Sequence, residues 1–179
     1  FPSMPVYFWN DRDGLKYKDA YFSTFPGTWH HGDFIRISER GSLKIYGRSD
    51  STLNPGGVRI GTSEIYRVVN SIDIIEDSLV IGQEWEGDQR IILFVLMIND
   101  LPLEKDIIDQ IKFQIKNGCS PRHIPSKIIK VKGIPYTING KKVEVAVKKV
   151  IEGKTVTNKE SLSNPETLSQ FRNIPELLN

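Results

Sequence analysis

Apolar and polar positions alternate in the early part of the chain in a way that predicts two short strands. Residues 33–37 and 43–46 show the two-residue period of half-buried strands, with a polar turn between them. The period then changes to that of a helix over about residues 62–71, which Thr62 or Ser63 can cap. We therefore predict a strand pair followed by a helix.

The longest apolar run of the chain lies within residues 90–98 and has no polar face. A strand covered on one side only would alternate, so this run predicts a strand that is buried on both faces. The other predicted elements are strands at 78–82 and 127–131 and helices at 102–118, 143–150 and 164–172, of which the first helix begins at Pro102. Residues 1–28 are rich in aromatic side chains without periodicity and are expected to be loop-like. The alternation of strands and helices from about residue 50 to residue 150 predicts a small α/β or α+β domain.

Glycines and charged side chains are concentrated in residues 47–67. Within this stretch Asn54-Pro55-Gly56-Gly57 has turn chemistry between short apolar pieces, which predicts a small hairpin. Two interpretations stay open: a surface hairpin that leads into a helix, or a site for phosphate or ribose with a hinge beside it.

The composition, 39% hydrophobic and 26% charged, is that of a globular chain, and no apolar run reaches the length of a membrane span. The single cysteine, Cys119, excludes an internal disulfide and makes a reducing cytoplasm the simplest location. Residues 101–154 carry twelve Lys or Arg against five Asp or Glu, which favours either an anionic partner or a solvated lysine face. Because no aromatic residues interleave these lysines, nucleic acid is the less favoured anion.

Four side chains are candidates for binding or catalysis. Asp33 follows a glycine at a loop-to-strand junction, where its carboxylate is either a turn residue or an acceptor for the hydroxyls of a ribose. Arg48 and Arg59 carry forked donors that suit phosphate or carboxylate. Lys141 lies in a polar loop bounded by proline and glycine, where its ammonium either reaches an anionic reacting centre or is one more exposed lysine.

Other kinds of site are not expected. His30 and His31 are adjacent and would point to opposite sides of an extended segment, and His123 is the only other histidine, so no metal site is predicted. The sequence contains neither a serine or cysteine nucleophile with its base nor a Walker-type phosphate loop.

The order of several motifs resembles the adenylate-forming superfamily of acyl-CoA synthetases, peptide-synthetase adenylation domains and luciferases. The motifs are Trp29-His30-His31-Gly32-Asp33, Gly47-Arg48-Ser49-Asp50, Gly57-Val58-Arg59-Ile60 with Glu64-Ile65, and Pro135-x-Thr137-x-x-Gly140-Lys141. Within the superfamily, the chain is similar to the acetoacetyl-CoA synthetase family over residues 52–62, 120–125, 134–147 and 163–172. Two departures from the general superfamily pattern also favour the resemblance to this family. His31 replaces the usual threonine, and Glu144 stands where many relatives have arginine.

The resemblance implies an α+β fold, namely the small mobile carboxy-terminal domain of an adenylate-forming enzyme. That domain has a β-hairpin and a small mixed sheet with flanking helices, preceded by the last strands of the large amino-terminal domain. The implied divisions are 1–49 for the end of the large domain, 50–153 for the lid domain and 154–179 for an extension with a short helix. The phosphate loop, the adenine-binding segment and the acyl pocket would lie in the missing amino-terminal domain, so this piece alone is expected to be inactive.

The resemblance also implies a two-step reaction with ATP and CoA as substrates, through an acyl-adenylate. The site residues it implies are Lys141 for catalysis, Asp33, Arg48 and Arg59 for the nucleotide, Asp50 as the hinge, and Gly56, Gly57, Gly61 and Arg122 for CoA. Mg²⁺ would accompany ATP and would be bound mainly by the missing part. The expected partners are that missing domain and small-molecule substrates, with neither nucleic acid nor membrane.

Three alternatives stay open. A synthetase for acetate or propionate would share the same chemistry, since the acyl pocket is not in this sequence. A nucleotide- or CoA-binding module without activity of its own would explain the same motifs. A nucleic-acid binder would explain the basic block.

Overall fold

The computed structural model describes residues 4–178, which form two compact units divided between Asp33 and Phe34. The first unit contains helix α1 (Leu15–Phe22), in the segment that was expected to be loop-like. This helix buries none of its residues, so it leaves no hydrophobic period in the sequence. Its start is held instead by the Asp11 carboxylate, which accepts the backbone N–H groups of Lys16 and Tyr17 at 3.0 and 2.8 Å.

The second unit begins with the predicted strand pair. Strand β1 (Asp33–Ile37) and strand β2 (Leu43–Arg48) form a two-stranded sheet, which confirms the prediction and extends the second strand by two residues. The predicted hairpin after them is reduced to one antiparallel bridge between Leu53 and Ile60, joined by a short 3-10 turn at Pro55–Gly57. Both bridge residues are buried, so the hairpin is part of the core.

The central sheet has three strands and mixed polarity. Strand β3 (Ile75–Trp85) pairs antiparallel with β4 (Asp88–Met97), and β4 pairs parallel with β5 (Lys127–Val131), in the order β3-β4-β5. The turn between β3 and β4 places Glu86 and Gly87 at φ of 51° and 82°, as the tight turns favoured in β-hairpins require. The structure thus confirms the expected small mixed sheet.

Both faces of the sheet are covered. Helices α2 (Thr62–Val69) and α3 (Lys105–Gly118) pack on one face, and helix α4 (Glu144–Ile151) packs on the other with the 3-10 segments Pro165–Phe171 and Pro175–Leu177. Successive residues of β4 alternate between the two cores: Ile91, Leu93 and Val95 face the first, and Ile92 and Phe94 face the second. The prediction of a strand buried on both faces is confirmed.

The predicted start of α3 at Pro102 is wrong by three residues. The chain is extended at Leu101 and Glu104, and the helix begins at Lys105. Leu103 packs against the first core from this extended segment. Proline fixes φ at a value that suits an extended segment as well as a first helical turn, so its position alone did not decide the boundary.

The predicted helix over residues 164–172 is present as a 3-10 helix, Pro165–Phe171. Asn164 does not cap it with its side chain. The Asn164 amide instead accepts the N–H of Tyr136 at 2.8 Å and donates to the carbonyl oxygen of Ile134 at 2.9 Å. The tail is thereby tied to the loop that precedes Lys141.

The predicted domain boundaries at 49–50 and 153–154 both lie inside the second unit, and as divisions of a longer protein they stay predictions. None of the helices within residues 4–178 combines the length and apolar character needed to cross a bilayer.

Candidate functional site

Lys141 is the last residue of a tight turn that begins at Thr137. The N–H of Thr137 donates to the carbonyl oxygen of Lys141 at 2.8 Å, and the N–H of Lys141 donates to Thr137 Oγ1 at 3.0 Å. Gly140 supplies the left-handed conformation that the turn needs, with φ of 70°. The Lys141 side chain is exposed, and its ammonium has no hydrogen bond or ion pair with any residue in the described part of the chain. A well-defined backbone therefore presents a cation to solvent.

Lys142, the next residue, is bound inside the domain. Its ammonium lies 2.6 Å from Asp77 Oδ1 and also donates to the carbonyl oxygen of Ser78. The same ammonium lies 4.4 Å from the centre of the Tyr66 ring. Because the Lys142 and Asp77 side chains are each only 17% exposed, removing one partner would leave the other as a poorly solvated charge.

A half-buried polar cluster lies beside Lys142. The Tyr66 hydroxyl donates to Glu144 Oε1 at 3.0 Å and accepts the N–H of Val80 at 3.0 Å. Burial raises the pKa of the Glu144 carboxyl above its ordinary value. Burial, together with the neighbouring Glu144 carboxylate, raises the pKa of the Tyr66 phenol well above its ordinary value. Tyr66 therefore acts as a neutral hydrogen-bond donor and does not titrate near neutral pH.

The predicted hinge residue Asp50 lies in an exposed turn directly after β2. Asp50 Oδ1 is 3.4 Å from Arg48 Nε, and both side chains are about half exposed. The carbonyl oxygen of Arg48 accepts the N–H of Ser51 at 3.3 Å and the hydroxyl of Thr52 at 2.8 Å. The turn is therefore held by contacts within residues 48–52, and it follows directly after β2, as loop positions that act as hinges commonly do.

Arg59 and Gly61 are placed by their contacts with the β1–β2 sheet. The Arg59 guanidinium lies over the Phe34 ring, 5.4 Å from its centre, and the residue is exposed. Gly61 is buried, and a Cβ at this position would lie 2.5 Å from the carbonyl oxygen of Tyr46. The absence of a side chain at Gly61 thus has a packing reason, the close approach of the start of α2 to β2.

Gly56 and Arg122 meet at one end of the central sheet. The N–H of Gly56 donates to both carboxylate oxygens of Asp88, at 3.0 and 2.9 Å, and a Cβ on Gly56 would lie 3.4 Å from the Arg122 guanidinium. Arg122 and Asp88 line a cleft of about 340 Å³ together with Arg90. Of the four residues expected to bind CoA, Arg122 lines this cleft, whereas Gly56, Gly57 and Gly61 do not, although Gly56 lies beside Arg122.

Asp33 is the last residue of the first unit. Its carboxylate is hydrogen-bonded to His31 Nδ1, and the His31 ring lies 5.2 Å from the Trp29 ring. The unusual histidine of the motif therefore has a local role, since it holds the carboxylate that follows it.

No metal centre is formed by the described residues, since no three His, Cys, Asp or Glu side chains among them are grouped to hold an ion. Cys119 is a free thiol.

Sequence reasoning missed the polar cluster around Lys142. The Lys141-Lys142 doublet was visible, but nothing in the sequence shows which lysine is exposed and which is paired. Asp77, the partner that decides this, is far away in the sequence and was assigned no role.

The comparisons with known proteins agree on one group of relatives. The chain is 52% identical to the acetoacetyl-coenzyme A synthetase of Rhizobium meliloti over 99% of its length, and 51% identical to the mouse acetoacetyl-CoA synthetase over 98%. Among solved structures, the acetoacetyl-CoA synthetase of Streptomyces lividans matches the whole chain with a TM-score of 0.87 at 42% identity. No protein-family model matches the chain.

The chain spans only about a quarter of these proteins: 27% of the Rhizobium relative, 26% of the mouse relative and 27% of the Streptomyces chain. The resemblance to acetoacetyl-CoA synthetases that the motifs indicated is confirmed, and so is the α+β fold.

Proposed function

We propose that this chain is the carboxy-terminal part of an acetoacetyl-CoA synthetase, an AMP-forming ligase that joins acetoacetate to CoA and uses ATP. The observation that carries the proposal is the 52% identity to such an enzyme across 99% of the chain. Because the chain spans 27% of that relative, the complete reaction requires the rest of the protein. The 179-residue chain alone is expected not to form AMP from ATP, acetoacetate and CoA.

In the first half-reaction, a carboxylate oxygen of acetoacetate attacks the α-phosphorus of ATP. A new P–O bond forms, the bond to the β-phosphate oxygen breaks, and pyrophosphate leaves. Lys141 would stabilise the charge that develops on the reacting oxygens, which is electrostatic catalysis. The exposed ammonium of Lys141, without a partner in the described part of the chain, supports this role, since a paired lysine would have to break its contact first.

Nucleotide binding is assigned to three further residues. Asp33 would accept hydrogen bonds from the ribose hydroxyls, Arg48 would contact the nucleotide near the ribose and phosphate, and Arg59 would help to orient the phosphates. The exposure of all three side chains is consistent with a ligand supplied from outside the described chain. Mg²⁺ would accompany ATP, and no residue of this chain is assigned to it.

In the second half-reaction, the sulfur of CoA attacks the carbonyl carbon of the acyl-adenylate, and AMP leaves as the carbon–oxygen bond to phosphate breaks. The thiol proton is lost to solvent. The lid domain, residues 50–153, would turn about Asp50 between the two steps, withdrawing Lys141 and presenting the region of Gly56, Gly57, Gly61 and Arg122 to CoA. The cleft beside Gly56 and Arg122 supports this assignment because it offers a guanidinium at a concave surface.

The remaining assignments follow from the same proposal. Residues 1–49 would be the end of the large domain and residues 154–179 an extension of the lid. The reduced Cys119 supports a cytoplasmic location. Nucleic acid and membranes are not proposed as partners.

The proposal is tested by replacing Lys141 with alanine in the complete enzyme. We expect Lys141→Ala to lower ATP–pyrophosphate exchange by about 10²-fold or more, the usual effect of removing a group that stabilises transition-state charge. Thioester formation from supplied acetoacetyl-adenylate should be largely unchanged, since a swivelled lid no longer uses this lysine. The matched control is Lys116→Ala, an exposed lysine on α3. Equal losses in both half-reactions would contradict the assigned role.

The alternatives have separate tests. A panel of acetoacetate, acetate and propionate in the exchange assay identifies the acid, because the acyl pocket is outside this chain. Calorimetry of the chain with CoA and with AMP distinguishes a binding module from a piece that binds neither. A gel shift that detects salt-sensitive binding would favour a nucleic-acid partner instead.

A further inference from the structure

The loop that carries Lys141 is closed at its base by two residues that face each other. Tyr136 and Lys142 form an isolated antiparallel bridge, and the turn between them is tightened by the backbone hydrogen bond from Gly140 to Thr137 at 2.8 Å. Where Lys141 points therefore depends on how firmly Tyr136 and Lys142 are held.

Both base residues converge on a single carboxylate. The Tyr136 hydroxyl donates to Asp77 Oδ2 at 2.6 Å, and the Lys142 ammonium donates to Asp77 Oδ1 at 2.6 Å. Each oxygen of Asp77 thus holds one end of the loop. Charge-assisted hydrogen bonds of this kind are stronger than neutral ones, and shielding from solvent strengthens them further.

Asp77 itself is fixed by the sheet. It lies on β3, which is an outer strand of the three-stranded sheet, where the pairing with β4 shifts register between Ile75 and Asp77. Its Oδ1 also accepts the N–H of Ser78 at 2.7 Å. Asp77 is therefore part of the central sheet, and the loop is attached to the sheet through its carboxylate.

Asp77 also gives the adjacent lysines, Lys141 and Lys142, different surroundings. The Lys142 ammonium is bound inside the domain, whereas the Lys141 side chain is exposed to solvent. Tyr66 adds to this selection, because its ring contacts the Lys142 ammonium at 4.4 Å. Without the Asp77 carboxylate, the Lys142 ammonium would keep only the carbonyl oxygen of Ser78 on β3, and the Tyr136 hydroxyl would lose its partner on the sheet.

We propose that Asp77 is a positioning residue for Lys141: its carboxylate clamps Tyr136 and Lys142, and so fixes the position and direction of the ammonium that acts in adenylation. This inference rests on the proposed function. A displacement of about 1 Å in such a group can lower a rate by about 10²-fold. The effect should be confined to the half-reaction that uses Lys141.

The test is Asp77→Asn in the complete enzyme, assayed in both half-reactions beside Lys141→Ala. We expect the kcat of ATP–pyrophosphate exchange to fall by about 10- to 100-fold, while the KM for ATP and the rate of thioester formation from supplied adenylate stay within about twofold. The matched control is Asp100→Asn, which removes an Asp–Lys pair with Lys130 at an exposed carboxylate and should change neither rate.

A second variant keeps the test valid if Asp77→Asn does not fold. Tyr136→Phe removes one of the two contacts between the loop and Asp77 and leaves the Lys142 pair intact, and we expect a smaller selective loss of exchange, about three- to tenfold. Normal exchange in the folded variants, or equal losses in both half-reactions, would overturn the positioning role. Normal exchange in Lys141→Ala would instead overturn the proposed function, so the two failures are distinguishable.

Discussion

Phe171 provides a sharp test of how the tail contributes to the second core. The ring is fully buried and packs edge-on against Phe94 of β4, with 4.9 Å between ring centres and an interplanar angle of 87°. Phe94 is also fully buried, so Phe171→Ala would open a cavity beside the central strand. The tail would then lose one of the largest fully buried side chains of the described structure.

We expect Phe171→Ala to lower the free energy of unfolding by a large amount. Truncating a buried phenylalanine to alanine usually lowers the free energy of unfolding by about 3–5 kcal/mol, and an edge-on aromatic pair adds to the burial term. Since domains of this size are stable by only about 5–15 kcal/mol, the variant should be close to its folding limit. Urea unfolding followed by far-ultraviolet circular dichroism measures this difference directly.

The control is Phe113→Ala on α3, because that ring is 62% exposed. Phe113→Ala should change the free energy of unfolding by no more than about 0.5 kcal/mol. If Phe171→Ala costs less than about 1 kcal/mol, the tail is an appendage on the domain and the packing described for the second core is wrong.

Two further changes test the close contact at Gly61 and the half-buried carboxyl of Glu144. Gly61→Ala places a Cβ 2.5 Å from the Tyr46 carbonyl oxygen and should lower the free energy of unfolding by about 1–3 kcal/mol in urea titration; an unchanged midpoint would show that β2 can move away from α2. The raised pKa of Glu144 means that the folded state binds more protons than the unfolded state above the usual carboxyl pKa, so stability should fall as pH rises through that interval. Glu144→Gln should flatten this part of a profile of melting temperature against pH, and an unaltered slope would assign the titration to another group.

The central sheet and its covering helices could be predicted well from the sequence, because their buried faces produce a clear hydrophobic pattern. The run in β4 and the repeats of α2 and α3 each report a face covered by another element. Helix α1 left no such signal, since it buries nothing and depends on Asp11 in the preceding loop. Strand β3 was predicted too short because its polar end, Gln83 and Glu84, pairs with β4 beyond the apolar core.

The site was predicted less completely, for a different reason. Motif order drew attention to Lys141, Gly56 and Arg122, all of which lie in local turns that a sequence can reveal. The environment of Lys142 depends on Asp77, whose distance along the chain hides the contact. Likewise, the requirement for glycine at position 61 comes from the backbone of Tyr46, which no local pattern reports.

The double burial of β4 means that hydrophobicity cannot set its register. Residues 91–95 are all apolar. Within this segment, a slip by one residue would exchange the side chains that face the two cores and would still leave apolar side chains on both faces. Alignment must come from the polar end of the hairpin, where Arg90 donates to Gln83 at 2.8 Å and Gln89 donates to Glu84 at 3.0 Å. Conservative exchanges in the middle of the strand should therefore be tolerated, whereas a one-residue insertion within β4 would exchange which of its later residues face each helical layer.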